Sequence, residues 1–294
     1  MSYSVCIPIY KQDVRELAKE LSRQASSIQS LVEILIIDDG SQENWGELNK
    51  DIQNFEKLNF QSLNSNIGRS AIRNLLAQKA KGEYLIFLDG DSKIDNPEFL
   101  KNYCEIENPE VIVGGRSYAH NMESGFELHW KYGKLKESKP ASHRNAKPSS
   151  NFHSNNFLIS KKIFQNILFE ESLNQYGHED TLFGFRLEQN KVDIIHIDNP
   201  LIHAQLESNK EFLRKTELGL QNLLKIQNLE PKFKEKSGVL SLYLKIKGMG
   251  LSALFNKLYS SQKENLLKNL EGSSPSLKKF NLYKLLYLFS ISRR

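Results

Sequence analysis

The sequence predicts an α/β fold: a Rossmann-like, mostly parallel sheet with helices on both faces, followed by a basic helical extension at the C-terminus. Three observations carry this. Short continuous apolar runs alternate with helix-spaced apolar positions through residues 1–115, acidic loops close two of those runs, and positive charge gathers in the last part of the chain.

Taken in order, Val5-Cys6-Ile7-Pro8-Ile9 reads as a strand, and Val14, Leu17, Ala18, Leu21, Ala25 and Ile28 recur at helix spacing. Ile34-Leu35-Ile36-Ile37 is a second strand, Ala71, Leu75 and Leu76 mark a helix, and Tyr84-Leu85-Ile86-Phe87-Leu88 is a third strand. Strands that are apolar throughout are buried on both faces, as in a parallel sheet. Such sheets bind ligands at the carboxyl ends of their strands, where Asp38-Asp39-Gly40-Ser41 and Asp89-Gly90-Asp91-Ser92 fall. Residues 116–151 turn polar and irregular, with Gly125, Gly133, Pro140 and Pro148, which reads as a functional lid or a linker. Asn156-Phe157-Leu158-Ile159 resumes as a strand, Thr181–Leu187 as a helix and Val192–Ile197 as a strand. Residues 209–230 form a helix with Phe212, Leu213, Leu220, Leu223 and Leu224 inward. From Leu282 to Ile291 only Lys284 and Ser290 are not apolar, a run far short of the about 20 residues that span a bilayer. Three consecutive parts are expected: residues 1–115, residues 116–230 and a basic helical extension at 231–294.

With 39% hydrophobic and 26% charged residues the composition is that of a globular protein, which excludes disordered and fibrous classes. Cys6 and Cys104 are too few for a disulfide framework and suit a reducing compartment. The N-terminus lacks the basic-then-apolar pattern of a secretory signal, so a cytoplasmic location is expected. The net charge of +5 is unevenly placed: residues 232–294 carry +10 and residues 1–231 carry −5. An acidic main domain without a basic-aromatic motif excludes nucleic acid as a partner. The basic tail suits instead an anionic membrane surface at the cytoplasmic face, or else helices that pack on the main domain.

Asp89 and Asp91 straddle a glycine at the end of a buried strand. Their hard oxygens suit Mg²⁺ or Mn²⁺ shared with a diphosphate, and Gly90 allows close backbone approach to a ligand. The triplet alone is equally a turn, since Asp and Gly are common turn residues. What favours a ligand site is that two neighbouring anions repel unless a cation joins them.

The residues Ser4-Val5-Cys6-Ile7-Pro8-Ile9-Tyr10, Ile36-Ile37-Asp38-Asp39-Gly40-Ser41, Asn66-Ile67-Gly68 leading to Arg73-Asn74, and Asp89-Gly90-Asp91 occur in a fixed order. In this the chain resembles the family-2 glycosyltransferases of the GT-A fold, inverting enzymes of the kind that build bacterial surface polysaccharides, over residues 3–225. Gly177-His178-Glu179-Asp180-Thr181 is similar to the family's Glu-Asp motif, and the resemblance makes Asp180 the catalytic base; read without it, Asp180 is a helix cap. The same resemblance gives Asp39 the nucleotide base, with Pro8, Tyr10, Asn66 and Arg69 lining its pocket, Asp89 and Gly90 at the nucleotide, and Asp89, Asp91 and His203 at the metal. His196 is assigned to the core. Arg69 and Arg73 face either phosphate or solvent, and Glu179 and Arg144 are carried as substrate contacts.

The function implied is transfer of a sugar from a UDP-sugar to a hydroxyl of a glycan or lipid-linked glycan, with a divalent metal and inversion. A uracil N3–H donor suits a carboxylate acceptor, which favours uridine, although thymidine presents the same edge. A sugar nucleotidyltransferase is the competing enzyme class, disfavoured because Ile9-Tyr10-Lys11-Gln12-Asp13 contains no glycine-rich loop. A non-catalytic sugar-binding assembly subunit is the competing reading outside catalysis.

Overall fold

The structure is a computed structural model that describes residues 1–42, 44–173 and 175–292. Its strands are β1 (Tyr3–Ile9), β2 (Leu31–Asp38), β3 (Leu58–Ser62), β4 (Tyr84–Leu88), β5 (Ser92–Lys93), β6 (Val111–Val113), β7 (Arg116–Tyr118), β8 (Asn156–Ser160), β9 (Ile194–His196) and β10 (Leu201–His203). Its helices are α1 (Arg15–Ala25), α2 (Trp45–Leu48), α3 (Arg69–Lys79), α4 (Phe99–Cys104), α5 (Glu127–Tyr132), α6 (Ala141–Arg144), α7 (Lys161–Asn166), α8 (Glu179–Gln189), α9 (Asn209–Leu229), α10 (Gly238–Gly248), α11 (Ser252–Leu270) and α12 (Leu277–Ile291).

The contacts divide the chain into two compact units. The first, residues 1–119, 137–174 and 183–205, holds every strand. Its main sheet has the order β3-β2-β1-β4-β8-β6-β9. β3, β2, β1 and β4 are mutually parallel, as the apolar runs predict, and β8 enters antiparallel between β4 and β6. Alternate residues of the central strands feed two cores. Val5, Ile7, Ile34, Ile36, Ile86 and Leu88 pack under α1 and α4. Cys6, Leu35, Ile37, Leu85 and Phe87 pack under α3 and α7. A second sheet, β5-β10-β7, is small but places the ends of three connections side by side.

The stretch 116–151 is more ordered than its polarity suggests: it contains β7, α5, a π-helical turn at Gly133–Glu137, α6 and a 3₁₀ turn at Ser149–Asn151. These elements are short, so no hydrophobic period develops in the sequence.

The second unit is helical and comprises residues 120–136, 175–182 and 206–294. Its core joins Leu128 of α5, Leu213 of α9, Leu266 and Leu270 of α11, and Phe280, Tyr283 and Leu286 of α12. The C-terminal helices thus share one core with α5 and α9. The apolar run Leu282–Ile291 is largely buried, at Tyr283 and Leu285 through Phe289, and Tyr283 and Leu286 belong to this core.

Candidate active site

In the first unit, β4 delivers Asp89-Gly90-Asp91 to the sheet edge, and the two carboxylates meet different chemistry. Asp89 Oδ1 accepts from Arg73 Nη2 at 2.6 Å; Asp89 Oδ2 lies 3.7 Å from Arg116 Nη2 and 4.0 Å from Arg69 Nη2. The Arg73 side chain is only 2% exposed, so α3 turns this guanidinium inward to neutralise the strand end. The cation demanded beside Asp89 is therefore an arginine of the chain itself, and Arg73 is no solvated face. Arg69, one turn earlier, is half-exposed.

Asp91 faces β10. Because β10 pairs with both β5 and β7, His203 stands opposite Ser92 and Tyr118, and Ala204 N–H donates to the Asp91 carbonyl at 2.9 Å. His203 Nδ1 lies 3.4 Å from Asp91 Oδ2. The other oxygen, Oδ1, is buried and has no hydrogen-bond partner among the described residues. Burial works to raise the Asp91 pKa, but pairing with His203 and the charges of Arg116 and Arg69 outweigh it and hold the carboxyl well below the usual range. An ionised, partly orphaned oxygen beside an imidazole fits a Mg²⁺ or Mn²⁺ ion that takes its remaining ligands from phosphate and water. No cluster of three or more His, Cys, Asp or Glu suited to a metal occurs among the described residues. Asp89, turned to its arginines, is not grouped with Asp91 and His203.

Gly90 serves packing. A Cβ there would sit 2.6 Å from Ile9 Cγ2 and 3.2 Å from Val14 Cγ1, so glycine lets the loop close on β1 and the N-cap of α1.

The loop after β2 is tied down by its own aspartates. Asp38 accepts from the Ser41 amide, the Ser41 hydroxyl and the Ser62 hydroxyl. Asp39, 4% exposed, accepts from the amides of Ile67 at 2.7 Å and Gly68 at 3.0 Å. Burial raises its pKa while these amides oppose the rise. Gly40, at φ +68°, presses on the backbone of Ser65 and Asn66, where a Cβ would lie 2.3 Å from the Ser65 carbonyl carbon. Asp39 thereby fixes the Asn66–Gly68 turn that starts α3, next to Tyr10, Asn66 and Arg69, all exposed, and Pro8, half-buried.

Sequence reasoning missed Arg116, Tyr118 and Glu137. Glu137 Oε2 accepts from Arg116 Nη1 at 3.1 Å and from the Tyr118 hydroxyl, making a part-buried chain that ends on Asp89. Nothing in the irregular stretch 116–151 signals it. Arg144 is placed there too, but not as a substrate contact: 3% exposed, it donates to the carbonyls of Lys139, Val113, Gly114 and Ile197 and to His196 Nδ1. Since arginine only donates, Nδ1 accepts and Nε2–H donates to Pro148 O at 3.0 Å. Burial pushes His196 down to about 4, in keeping with a neutral core histidine.

The Glu-Asp motif belongs to the second unit. Helix α8 starts at Glu179, two residues before the expected start, so Asp180 lies inside the first turn rather than at the cap. Its Oδ1 accepts from Thr181 N–H at 2.6 Å, and a helix N-terminus favours its negative form. Glu179 is buried and accepts from Gly177 N–H at 3.0 Å. The turn before it is strained: Gly177 has φ +100° and His178, a non-glycine, φ +67°. It is held from α9, where Asn222 Nδ2 donates to the carbonyls of Gln175 and Gly177, and where Gly219 gives Gly177 room.

The profile described as Glycosyl transferase family 2 matches residues 4–168. Chondroitin synthase of Escherichia coli is 22% identical over 252 residues, covering 72% of this chain and 36% of that protein. An uncharacterized glycosyltransferase of Haemophilus influenzae is 32% identical over 117 residues, covering 40% of this chain and 46% of that protein. The chain thus spans between about a third and a half of the length of these curated relatives. Among solved structures, S. aureus TarS superposes with a TM-score of 0.57 at 18% identity over 98% of this chain and 55% of TarS. The mannosyltransferase PcManGT from Pyrobaculum calidifontis, solved with GDP-Man and Mn²⁺, gives 0.61 at 12% identity over 99% of this chain and 86% of that one.

Proposed function

This chain belongs to glycosyl transferase family 2 and has the GT-A fold, and from that premise we propose that it transfers a sugar from a UDP-sugar to an acceptor hydroxyl, with a divalent metal and with inversion at the anomeric carbon. The observation that carries the reading is Asp91: an ionised carboxylate with one buried, unpartnered oxygen and a histidine beside the other. Asp91 and His203 are the proposed holders of Mg²⁺ or Mn²⁺. A divalent ion bound there supplies positive charge against the diphosphate leaving group.

The remaining roles fall to side chains of the chain. Asp39 accepts the uracil N3–H, with Pro8, Tyr10 and Asn66 lining the base and half-exposed Arg69 reaching toward phosphate. Asp89 keeps Arg73 and Arg116 oriented at the nucleotide end. Asp180 accepts the proton of the attacking hydroxyl, and a single displacement inverts the anomeric centre. The solved structures of TarS include complexes with UDP and with UDP-GlcNAc, which supports the choice of uridine. The acceptor class is a glycan or a lipid-linked glycan.

The test is UDP release from a panel of UDP-sugars in the presence of Mn²⁺, Mg²⁺ or EDTA. One donor should be turned over in a metal-dependent way, and Asp91→Ala should abolish it. If no uridine nucleotide is hydrolysed and none raises the unfolding temperature, the reading fails.

A further inference from the structure

The apolar surface of the second unit is not where the sequence concentrates apolar residues. The richest run, in α12, is buried, whereas α10, α11 and the turn joining them leave Leu242, Met249, Leu251, Leu254 and Leu258 between 37% and 60% exposed. Their inner faces are accounted for: Tyr243 of α10 and Phe255 of α11 both pack on Phe289 of α12, with ring centroids 4.8 and 4.9 Å apart. Leu254 and Leu258, four apart, share one face of α11, with Leu251 at its N-cap, while Leu242 lies on α10 and Met249 at its C-cap. Gly250, at φ +76°, makes the turn between them.

Charge says what such a surface meets. Residues 236–263 contain five lysines and no Asp or Glu. Lys245, Lys247, Lys257 and Lys263 are exposed, and none has a carboxylate partner among the described residues. Exposed leucine and methionine interleaved with lysines that no carboxylate neutralises suit an interface where apolar side chains enter the acyl boundary and ammonium groups meet anionic headgroups. No helix among the described residues is long and apolar enough to cross a membrane, so the contact would lie on the surface.

We propose that the α10–α11 tip docks this protein onto an anionic lipid bilayer, with Met249, Leu251, Leu254 and Leu258 entering the interface and Lys245, Lys247 and Lys257 holding the headgroups. Each lysine brought to an anionic surface strengthens partitioning about fivefold.

The experiment is flotation of the full chain with vesicles of phosphatidylcholine mixed with phosphatidylglycerol, and with phosphatidylcholine alone. The chain is expected to float with the mixed vesicles and to be released by salt. The double variant Met249→Ser/Leu254→Ser should lose flotation, and Lys245→Gln/Lys247→Gln should weaken it about 25-fold. Leu168→Ser, which removes an exposed leucine of the first unit, should leave it unchanged. All substituted positions are exposed, so circular dichroism should give the parent unfolding temperature. Absence of flotation with either vesicle, or flotation of Met249→Ser/Leu254→Ser at the parent level, overturns the proposal. So does a dimer seen by light scattering that this variant dissolves, because the occupant is then a second copy of the chain.

Discussion

Asp89 and Asp91 are two residues apart, yet one is an anchor and the other is a ligand-ready group. Asp89 is consumed by Arg73, with both side chains nearly inaccessible. Asp91 keeps an oxygen without a partner. Their amides should therefore fail differently. Asp89→Asn leaves the buried guanidinium of Arg73 without its anion, and breaking such a pair costs about 3–5 kcal/mol, so urea unfolding should shift markedly. Arg73→Met should do the same, and the double variant should recover part of the loss. Asp91→Asn should unfold nearly as the parent does, but should raise the Mn²⁺ concentration that half-saturates UDP release by at least about 10- to 100-fold. If Asp89→Asn moves the metal response and leaves stability alone, the two assignments are exchanged. Asp180→Asn carries a third expectation: turnover reduced by about 10²- to 10⁴-fold with donor binding retained, read by single-turnover kinetics beside a thermal shift.

At the scale of elements, α9 is the clamp that presents the Glu-Asp motif. Gly177 and Gly219 face each other, but they are not equivalent. A Cβ on Gly177 would need φ +100° and would meet Gly219 Cα at 2.9 Å; a Cβ on Gly219 would meet only ordinary contacts of 3.6 Å or more. Gly177→Ala should destabilise by about 1–3 kcal/mol and depress turnover by displacing Asp180. Gly219→Ala should be tolerated, and the helix-propensity gain of up to about 1 kcal/mol should show in the unfolding temperature. In α12, Lys284 is pressed against Phe280 and Tyr132, its Nζ 4.7 and 5.5 Å from the ring centroids, and burial pushes its pKa down to about 8. The folded state binds its proton less tightly than the unfolded chain does, so between pH 8 and about 10.5 the unfolded state carries the extra proton and this lysine makes stability rise with pH. The gain of the parent over Lys284→Met, measured by urea unfolding at pH 7.5 and again at pH 10, should grow by about 1–3 kcal/mol.

Over the whole molecule, the chain passes between its two units repeatedly, so neither is a contiguous piece. A chain ended at Glu230 would remove Leu266, Leu270, Phe280, Tyr283 and Leu286 from the core shared with Leu128 and Leu213. Limited proteolysis should then cut α5 and α9, and the exposed apolar face should aggregate; a protease-resistant product with the parent's affinity for UDP would contradict this. The sequence by itself determined the parallel half of the sheet, because strands buried on both faces must be apolar at every position, as in Ile34–Ile37 and Tyr84–Leu88. It also determined the order of the acidic motifs, because Asp38-Asp39 and Asp89-Gly90-Asp91 directly follow two of those apolar runs. Only the tertiary structure decided which groups neutralise those carboxylates: Arg73 and Arg116 lie 16 and 27 residues from Asp89, and His203 reaches Asp91 only because β10 inserts between β5 and β7. It likewise decided that Arg144 is a staple, that Gly90 serves packing, and that α12 is buried while α10 and α11 are exposed. Charge and hydropathy along a chain record what each residue is, but burial and pairing depend on which distant segments fold against it.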